Sequence, residues 1–226
     1  MTVLIIAAHP DDEVLGCGGT MARLVSEGHR VAIAILGQGI TSRQPESHPD
    51  TAASLEKLKQ ESRKAASALG VTDVRFFDLP DNRFDSWDML DVVKKLEALA
   101  TELNPTTVYT QHGGDLNIDH QVTFRATMTA FRPLPGAVVK EVYAYEVASS
   151  TEWAFRQFAP SFAPDTYVDV SAHLSKKLDS LSAYSGEMRD YPHPRSIKAV
   201  EYQARDRGAH IGVEAAEAFC CIWRKV

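Results

Sequence analysis

A three-layer α/β sandwich, with a mostly parallel sheet held between helices, is the fold class the sequence predicts, and three observations predict it. The chain opens on a continuous apolar run, Val3 to Ala8, followed at once by turn residues, the pattern of a parallel strand covered on both faces. Stretches of helical period and short apolar runs then alternate along most of the chain. The length of 226 residues, 44% hydrophobic and 24% charged, matches one enzyme-sized globule.

Each element follows in order. From Glu13 to Glu27, Val14, Leu15, Met21, Leu24 and Val25 recur at helical spacing, and Gly28 stands where a helix stops. Arg30 to Leu36 reads as the second strand. Gly37 to Thr51 is polar and turn-rich, with Pro45 and Pro49, and follows a strand's C-terminal end; a mobile substrate loop is expected there. Leu55 to Leu69 is an amphipathic helix closed by Gly70, Val74 to Leu79 a strand, Trp87 to Leu103 a helix and Thr107 to Thr110 a strand. Ile118 to Phe131 is helical and Glu141 to Glu146 extended. Strict alternation ends at Ser149 to Pro164, rich in Pro, Ser and aromatics. Tyr167 to Val170 reads as a short strand, Ser171 to Tyr184 as a helix capped by Ser171, Arg195 to Arg207 as a helix ending at Gly208, and Ala218 to Trp223 as a last strand. No repeat or linker divides the chain, so one domain over 1–226 is expected, the portion from about 147 onward forming a lid and one pocket wall.

Charge narrows the partners. Thirty acidic residues against 24 basic ones, a net charge of −6, leave no basic field for a phosphate backbone or an anionic membrane, so no nucleic-acid partner is expected. The opening apolar run is short, has no basic flank and ends in His-Pro-Asp-Asp, which argues against a signal peptide or membrane insertion and for a cytoplasmic protein. Cys17, Cys220 and Cys221 form neither a disulfide framework nor a CxxC site and read as small packing residues.

Two polar segments carry chemistry, and right-handed crossovers between parallel strands place both on one sheet edge. In the first, His9-Pro10-Asp11-Asp12-Glu13, an imidazole and a carboxylate stand three residues apart around Asp11, a spacing that lets them converge on one point. The plain alternative is that Asp11 or Asp12 merely caps the following helix. The second runs from Tyr109 to His120, a loop dense in ligand-type side chains, where His120 would be the third ligand. Two imidazoles, one carboxylate and an open fourth position make a normal catalytic zinc set.

Ala8-His9-Pro10-Asp11-Asp12-Glu13, Gly16-Cys17-Gly18-Gly19-Thr20 and Asp115-Leu116-Asn117-Ile118-Asp119-His120 resemble the LmbE-like, or PIG-L, deacetylases, and the resemblance extends over most of the chain. It implies the Rossmann-like fold of that family and removal of an acetyl group from an N-acetylglucosamine-type amino sugar or its conjugate. It further implies Zn2+ or another divalent metal on His9, Asp12 and His120, with Asp11 as general base. The partner is then a small N-acetylated amino sugar or glycoconjugate, and a homo-oligomer fits the family's habit.

Two positions depart from the pattern. Many relatives carry a histidine three residues before the last metal ligand, where this chain has Asn117, an amide that can polarise an oxyanion but cannot act as an acid. His112 and His193 are the candidates to replace it, His193 from the rigid loop Tyr191-Pro192-His193-Pro194-Arg195-Ser196. Relatives also often have an arginine where this chain has Leu58, so sugar contacts must come from elsewhere; Arg43, Arg83, Glu146 and Trp153 are the candidates. An amidase for a larger N-acyl or thiol conjugate is the enzymatic alternative, and a non-catalytic Rossmann-like binding module the other. Gly16-Cys17-Gly18 is a poor dinucleotide fingerprint, because the glycines fall inside the helix, where close packing or a bend explains them better.

Overall fold

The computed structural model of the protein describes residues 1–40 and 50–226. Seven strands, β1 (Thr2–Ala7), β2 (Arg30–Gly37), β3 (Asp73–Leu79), β4 (Thr107–Gln111), β5 (Glu141–Tyr145), β6 (Thr166–Asp169) and β7 (Ala216–Arg224), form one sheet in the order β3-β2-β1-β4-β5-β7-β6. The first five run parallel, and β7 lies antiparallel to both β5 and β6. The helices are α1 (Asp12–Ser26), α2 (Thr51–Ala68), α3 (Met89–Leu103), α4 (Ile118–Ala130), α5 (Leu174–Leu181) and α6 (Ile197–Ala209). The predicted α/β class with a mostly parallel sheet is the observed one.

The apolar run of β1 is uniform because both of its faces are buried. Val3, Ile5 and Ala7 pack with Val14 and Met21 of α1, Leu58 and Ala65 of α2, Leu181 of α5 and Val200 of α6. Leu4, Ile6 and Ala8 point the other way, against Val92 and Leu96 of α3 and Val122 and Ala126 of α4. Two cores thus share the sheet, one on each face.

From β1 the chain builds outward through β2 and β3 on one side and through β4 and β5 on the other. The reversal falls between β1 and β4, where the loops leaving the two strands part and open a crevice beyond their C-terminal ends. That crevice brings the segment after β1 against the segment after β4.

Close approach of α1 to β5 and to Val170, just after β6, accounts for Gly16 and Gly19. A Cβ on Gly16 would lie 2.1 Å from Tyr145 Cδ2, and one on Gly19 would lie 2.8 Å from Val170 Cβ. Some boundaries differ from the sequence reading. Helix α2 begins at Thr51, a turn before the apolar pattern, because Ala52 and Ala53 in that turn face solvent and carry no hydrophobic signal. Trp87 lies outside α3, since a 3-10 turn over Phe84–Ser86 intervenes. Ser171 does not cap a long helix; its hydroxyl donates to Asp169 Oδ1 at 2.6 Å, and a 3-10 turn precedes α5. Residues beyond 147 also contribute β6 and β7 to the sheet itself. Among the described residues no helix is long and apolar enough to cross a membrane.

Candidate metal centre and its pocket

Between β1 and α1 the backbone turns sharply at Asp11, which has φ 103° and ψ −32°, a conformation that a residue with a Cβ rarely adopts. Its carbonyl accepts from Val14 N and Leu15 N and so starts α1, while its side chain caps nothing. Asp12 is not a cap either: its Oδ2 accepts from His9 N at 2.9 Å and from Gln111 Nε2 at 3.0 Å. Both carboxylates are spent on the crevice, which removes the plain capping explanation.

His120, in the first turn of α4, meets this turn from across the crevice. One ligand atom each from His9, Asp12 and His120 lies within 4.8 Å of the others, and all three residues are buried. His120 Nδ1 pairs with Asp115 Oδ2 at 2.8 Å, and its Nε2 lies 3.3 Å from Asp12 Oδ2. His9 Nε2 pairs with Asp119 Oδ2 at 2.8 Å and lies 3.1 Å from Asp81 Oδ1, while its Nδ1 stands 3.4 Å from Asp12 Oδ2. An ionised carboxylate only accepts, so His9 Nε2 and His120 Nδ1 carry the protons, and in the neutral rings the lone pairs of His9 Nδ1 and His120 Nε2 turn toward Asp12. Carboxylates orienting metal-binding imidazoles in this way are the usual outer shell of a metal site.

Unpartnered atoms agree with that use. Asp11 Oδ1, Asp12 Oδ1 and His120 Nε2 are all buried with no hydrogen-bond partner, an unfavourable state that a bound divalent cation and its water would relieve. A second grouping of His9, Asp81 and Asp119 overlaps the first. Asp119, however, also accepts from Asn82 N at 2.6 Å and from Phe84 N at 2.9 Å, so it holds the 82–84 segment and His9 in place.

Electrostatics follow from burial and these pairings. Burial would raise Asp12, but His120 and His9 more than offset it and hold the carboxyl well below its ordinary range. Against the opposing effect of burial, Asp12 and Asp115 lift His120 to about 9, and Asp119, Asp12 and Asp81 lift His9 well above its ordinary value. A metal ion competes with those extra protons for the same lone pairs. Burial raises Asp11 well above its ordinary value, with Arg195 opposing and Asp12, Glu187 and Glu13 adding to the rise.

A small cavity of about 90 Å³ opens onto these groups, lined by His9, Asp11, Asn82, Asn117, Glu187 and Arg195 among others. Asn117 is present but committed: its Oδ1 accepts from Asp119 N at 2.8 Å, capping α4, and its Nδ2 donates to Asn82 Oδ1 at 3.1 Å. His193 is not in this lining, because its Nδ1 is taken by Arg195 N at 3.0 Å and its ring packs edge-on to Trp153. Trp153 is likewise outside it, and Arg83 is exposed at the head of the 3-10 turn.

Glu146 is held by Arg207 through two bonds of 2.8 and 2.7 Å and lines a separate cleft of about 450 Å³. His112 lines that same cleft, its Nε2 donating to Pro160 O at 2.7 Å, so it cannot stand in for an acid beside Asp11. Arg43 and the rest of 41–49, most of the expected substrate loop, lie outside the described residues, whereas Gly37 ends β2 and Thr51 opens α2.

Asp115, Asp119, Gln111 and Arg195 are the site-building residues that sequence reasoning left without roles. The two aspartates had a usable signal, because both stand within five residues before His120 in one polar stretch. Arg195 had none beyond its place two residues after His193.

A model of the GlcNAc-PI de-N-acetylase (PIG-L) family matches residues 4–131. A probable N-acetyl-alpha-D-glucosaminyl L-malate deacetylase 2 of Bacillus cereus is 28% identical over 192 residues, spanning 82% of this chain and 83% of that protein. Among solved structures, N,N'-diacetylchitobiose deacetylase from Pyrococcus horikoshii is similar with a TM-score of 0.78 at 20% identity, over 98% of this chain and 83% of that one. The 4-carboxy-2-hydroxymuconate hydratase GalB from Pseudomonas putida KT2440 has a TM-score of 0.80 at 20% identity, over 100% and 97% of the two chains. At such identity these structures speak for the fold alone, and a hydratase among them shows that the fold does not choose the reaction.

Proposed function

The chain belongs to the GlcNAc-PI de-N-acetylase (PIG-L) family of deacetylases, and from that premise we propose that it is a zinc-dependent hydrolase releasing acetate from an N-acetylglucosamine-type amino sugar or its conjugate. The observation that carries this reading is the convergence of His9, Asp12 and His120 beside the unpartnered Oδ1 of Asp11.

His9, Asp12 and His120 would hold the zinc, with Asp119 and Asp115 fixing the two rings. When bound, zinc supplies Lewis acidity toward a carbonyl oxygen and acidifies water at neutral pH. Asp11 Oδ1 takes the proton from the attacking water, whose hydroxyl adds to the acetamide carbon, and keeps that proton until the C–N bond breaks. Asn117 is no acid, so the Asp11 carboxyl returns the proton to the departing amine. Acetic acid and a free amine result, with one hydrogen of the water on the amine and its hydroxyl on the acetyl carbon; the acid then ionises to acetate, giving its proton to the amine or to solvent. Residues beyond 147 close one wall of the pocket through Glu187 and Arg195.

Acetate release from a panel of free, nucleotide-linked and lipid-linked N-acetylated amino sugars tests the reaction and finds the substrate class. Asp11→Asn should keep zinc bound while lowering kcat by about 10²- to 10⁴-fold, the usual worth of a general base. An unchanged rate in that variant removes Asp11 from the role.

A further inference from the structure

Arg195 reaches the pocket from the loop before α6, and its guanidinium joins three segments that are distant in sequence. Its Nη1 donates to Asp11 Oδ2 at 2.9 Å, and its Nε donates to Ser149 Oγ at 2.9 Å and toward Ala148 O at 3.4 Å. The two side chains that it bridges belong to residues with left-handed backbones, Asp11 at φ 103° and Ser149 at φ 69°. Strained non-glycine residues persist only where their surroundings hold them, at a cost of about 1–3 kcal/mol each. Asp11 is held from two sides, its N–H by Glu13 Oε2 at 3.1 Å and its carboxylate by Arg195. Glu13 is itself fixed by the hydroxyl of the buried Tyr184.

The consequence is asymmetric. Oδ2 of Asp11 is occupied by the guanidinium, whereas Oδ1 is buried and has no partner. An unrestrained carboxylate rotates and presents either oxygen; this one presents a single oxygen. The loop is also anchored independently of Asp11: Ser196 caps α6 by accepting from Ala199 N at 3.1 Å, and Arg189 N donates to Arg195 O at 3.3 Å. The guanidinium therefore acts from a fixed base.

We propose that Arg195 is a positioning residue for the hydrolysis, pinning Oδ2 of Asp11 so that Oδ1 alone faces the attacking water. This rests on the reading of Asp11 as general base. A displacement of a reacting group by about 1 Å can cost about 100-fold in rate, so the effect belongs in kcat rather than in binding.

The test compares Arg195→Ala, Arg195→Lys, Ser149→Ala and Asp11→Asn, assayed on the N-acetylated amino sugar from which the wild-type protein releases acetate. Arg195→Ala should lower kcat about 10- to 100-fold with KM within about three-fold and one zinc still bound, and dilute guanidinium should restore part of the rate. Arg195→Lys, with no fork to serve both partners, should fall between the two, and Ser149→Ala should lose a few-fold.

A kcat in Arg195→Ala within about two-fold of wild type, with Asp11→Asn inactive, overturns the proposal and leaves the base assignment standing. Loss of zinc from Arg195→Ala without any response to guanidinium also overturns it, as a structural role would give. Should Arg195→Ala fail to fold, unchanged kcat in both Arg195→Lys and Ser149→Ala overturns it. Wild-type turnover in Asp11→Asn removes the base, and both readings with it.

Discussion

Asp119 shows how much a single side chain can organise here. Its Oδ2 accepts from His9 Nε2 and Asn82 N, its Oδ1 accepts from Phe84 N, and its own N–H is capped by Asn117. One carboxylate thereby fixes the His9 ring, the turn after β3 and the start of α4. Such outer-shell partners set ligand orientation and basicity, and their loss commonly costs 10- to 100-fold in metal affinity. Asp119→Asn should therefore weaken zinc binding by about that factor, measured by competition against a chromophoric chelator. An affinity equal to wild type would show that His9 needs no such support. Asp115→Asn, acting on His120 through one bond, offers the parallel case at the other ring.

At the scale of elements, α1 carries both a residue of the site and close packing against its neighbours. Its first turn presents Asp12, while its middle lies directly against Tyr145 at Gly16 and Val170 at Gly19. A buried pair ties the same stretch to two other elements. Lys177 Nζ of α5 donates to Leu15 O and to Glu217 Oε1 of β7, and the Glu217 carboxylate accepts from Gly19 N and Thr20 N. The position of α1 is thus set by contacts with little freedom to adjust. Gly16→Ala should destabilise the protein by about 1–3 kcal/mol, the ordinary cost of overpacking, read as a lower denaturant midpoint. Gly186→Ala is the matched control: nothing lies within 4 Å of the added methyl, and its midpoint should stay within about 0.5 kcal/mol of wild type. Equal effects at the two sites would disprove the packing account.

For the whole molecule, the candidate metal site sits at the seam between β1 and β4, so an ion bound there would bear on global stability. Asp11, Asp12, Asp115 and Asp119 are each at most 1% exposed. Without a metal ion, two imidazoles and the Arg195 guanidinium on Asp11 are the groups that balance these four acids. A ligand bound to the native state alone at 100 times its Kd adds about 2.7 kcal/mol. For a chain of this size that corresponds to roughly 5–10 °C in Tm. Chelation should lower Tm by that amount, calorimetry should show recovery on adding zinc, and Asp12→Ala should be indifferent to both treatments. A Tm unmoved by chelation in the wild-type protein would mean that the seam is stable without a metal.

The identity and order of strands and helices were legible in the sequence because local features encode them. The two-sided apolar run of β1, the 3.6-residue period of α1 and the stops at Gly28 and Gly70 depend only on near neighbours in the chain. The turn His9-Pro10-Asp11-Asp12 was legible for the same reason, with its imidazole and carboxylate three residues apart. Tertiary structure alone decided between partners far apart in sequence. It set His120 against Asp12, turned His112 to Pro160 O, paired Glu146 with Arg207, and brought Arg195 rather than His193 to Asp11. Those outcomes depend on strand order, helix rotation and the path of the loop before α6, and an error of one residue in any of them would direct a different side chain into the crevice.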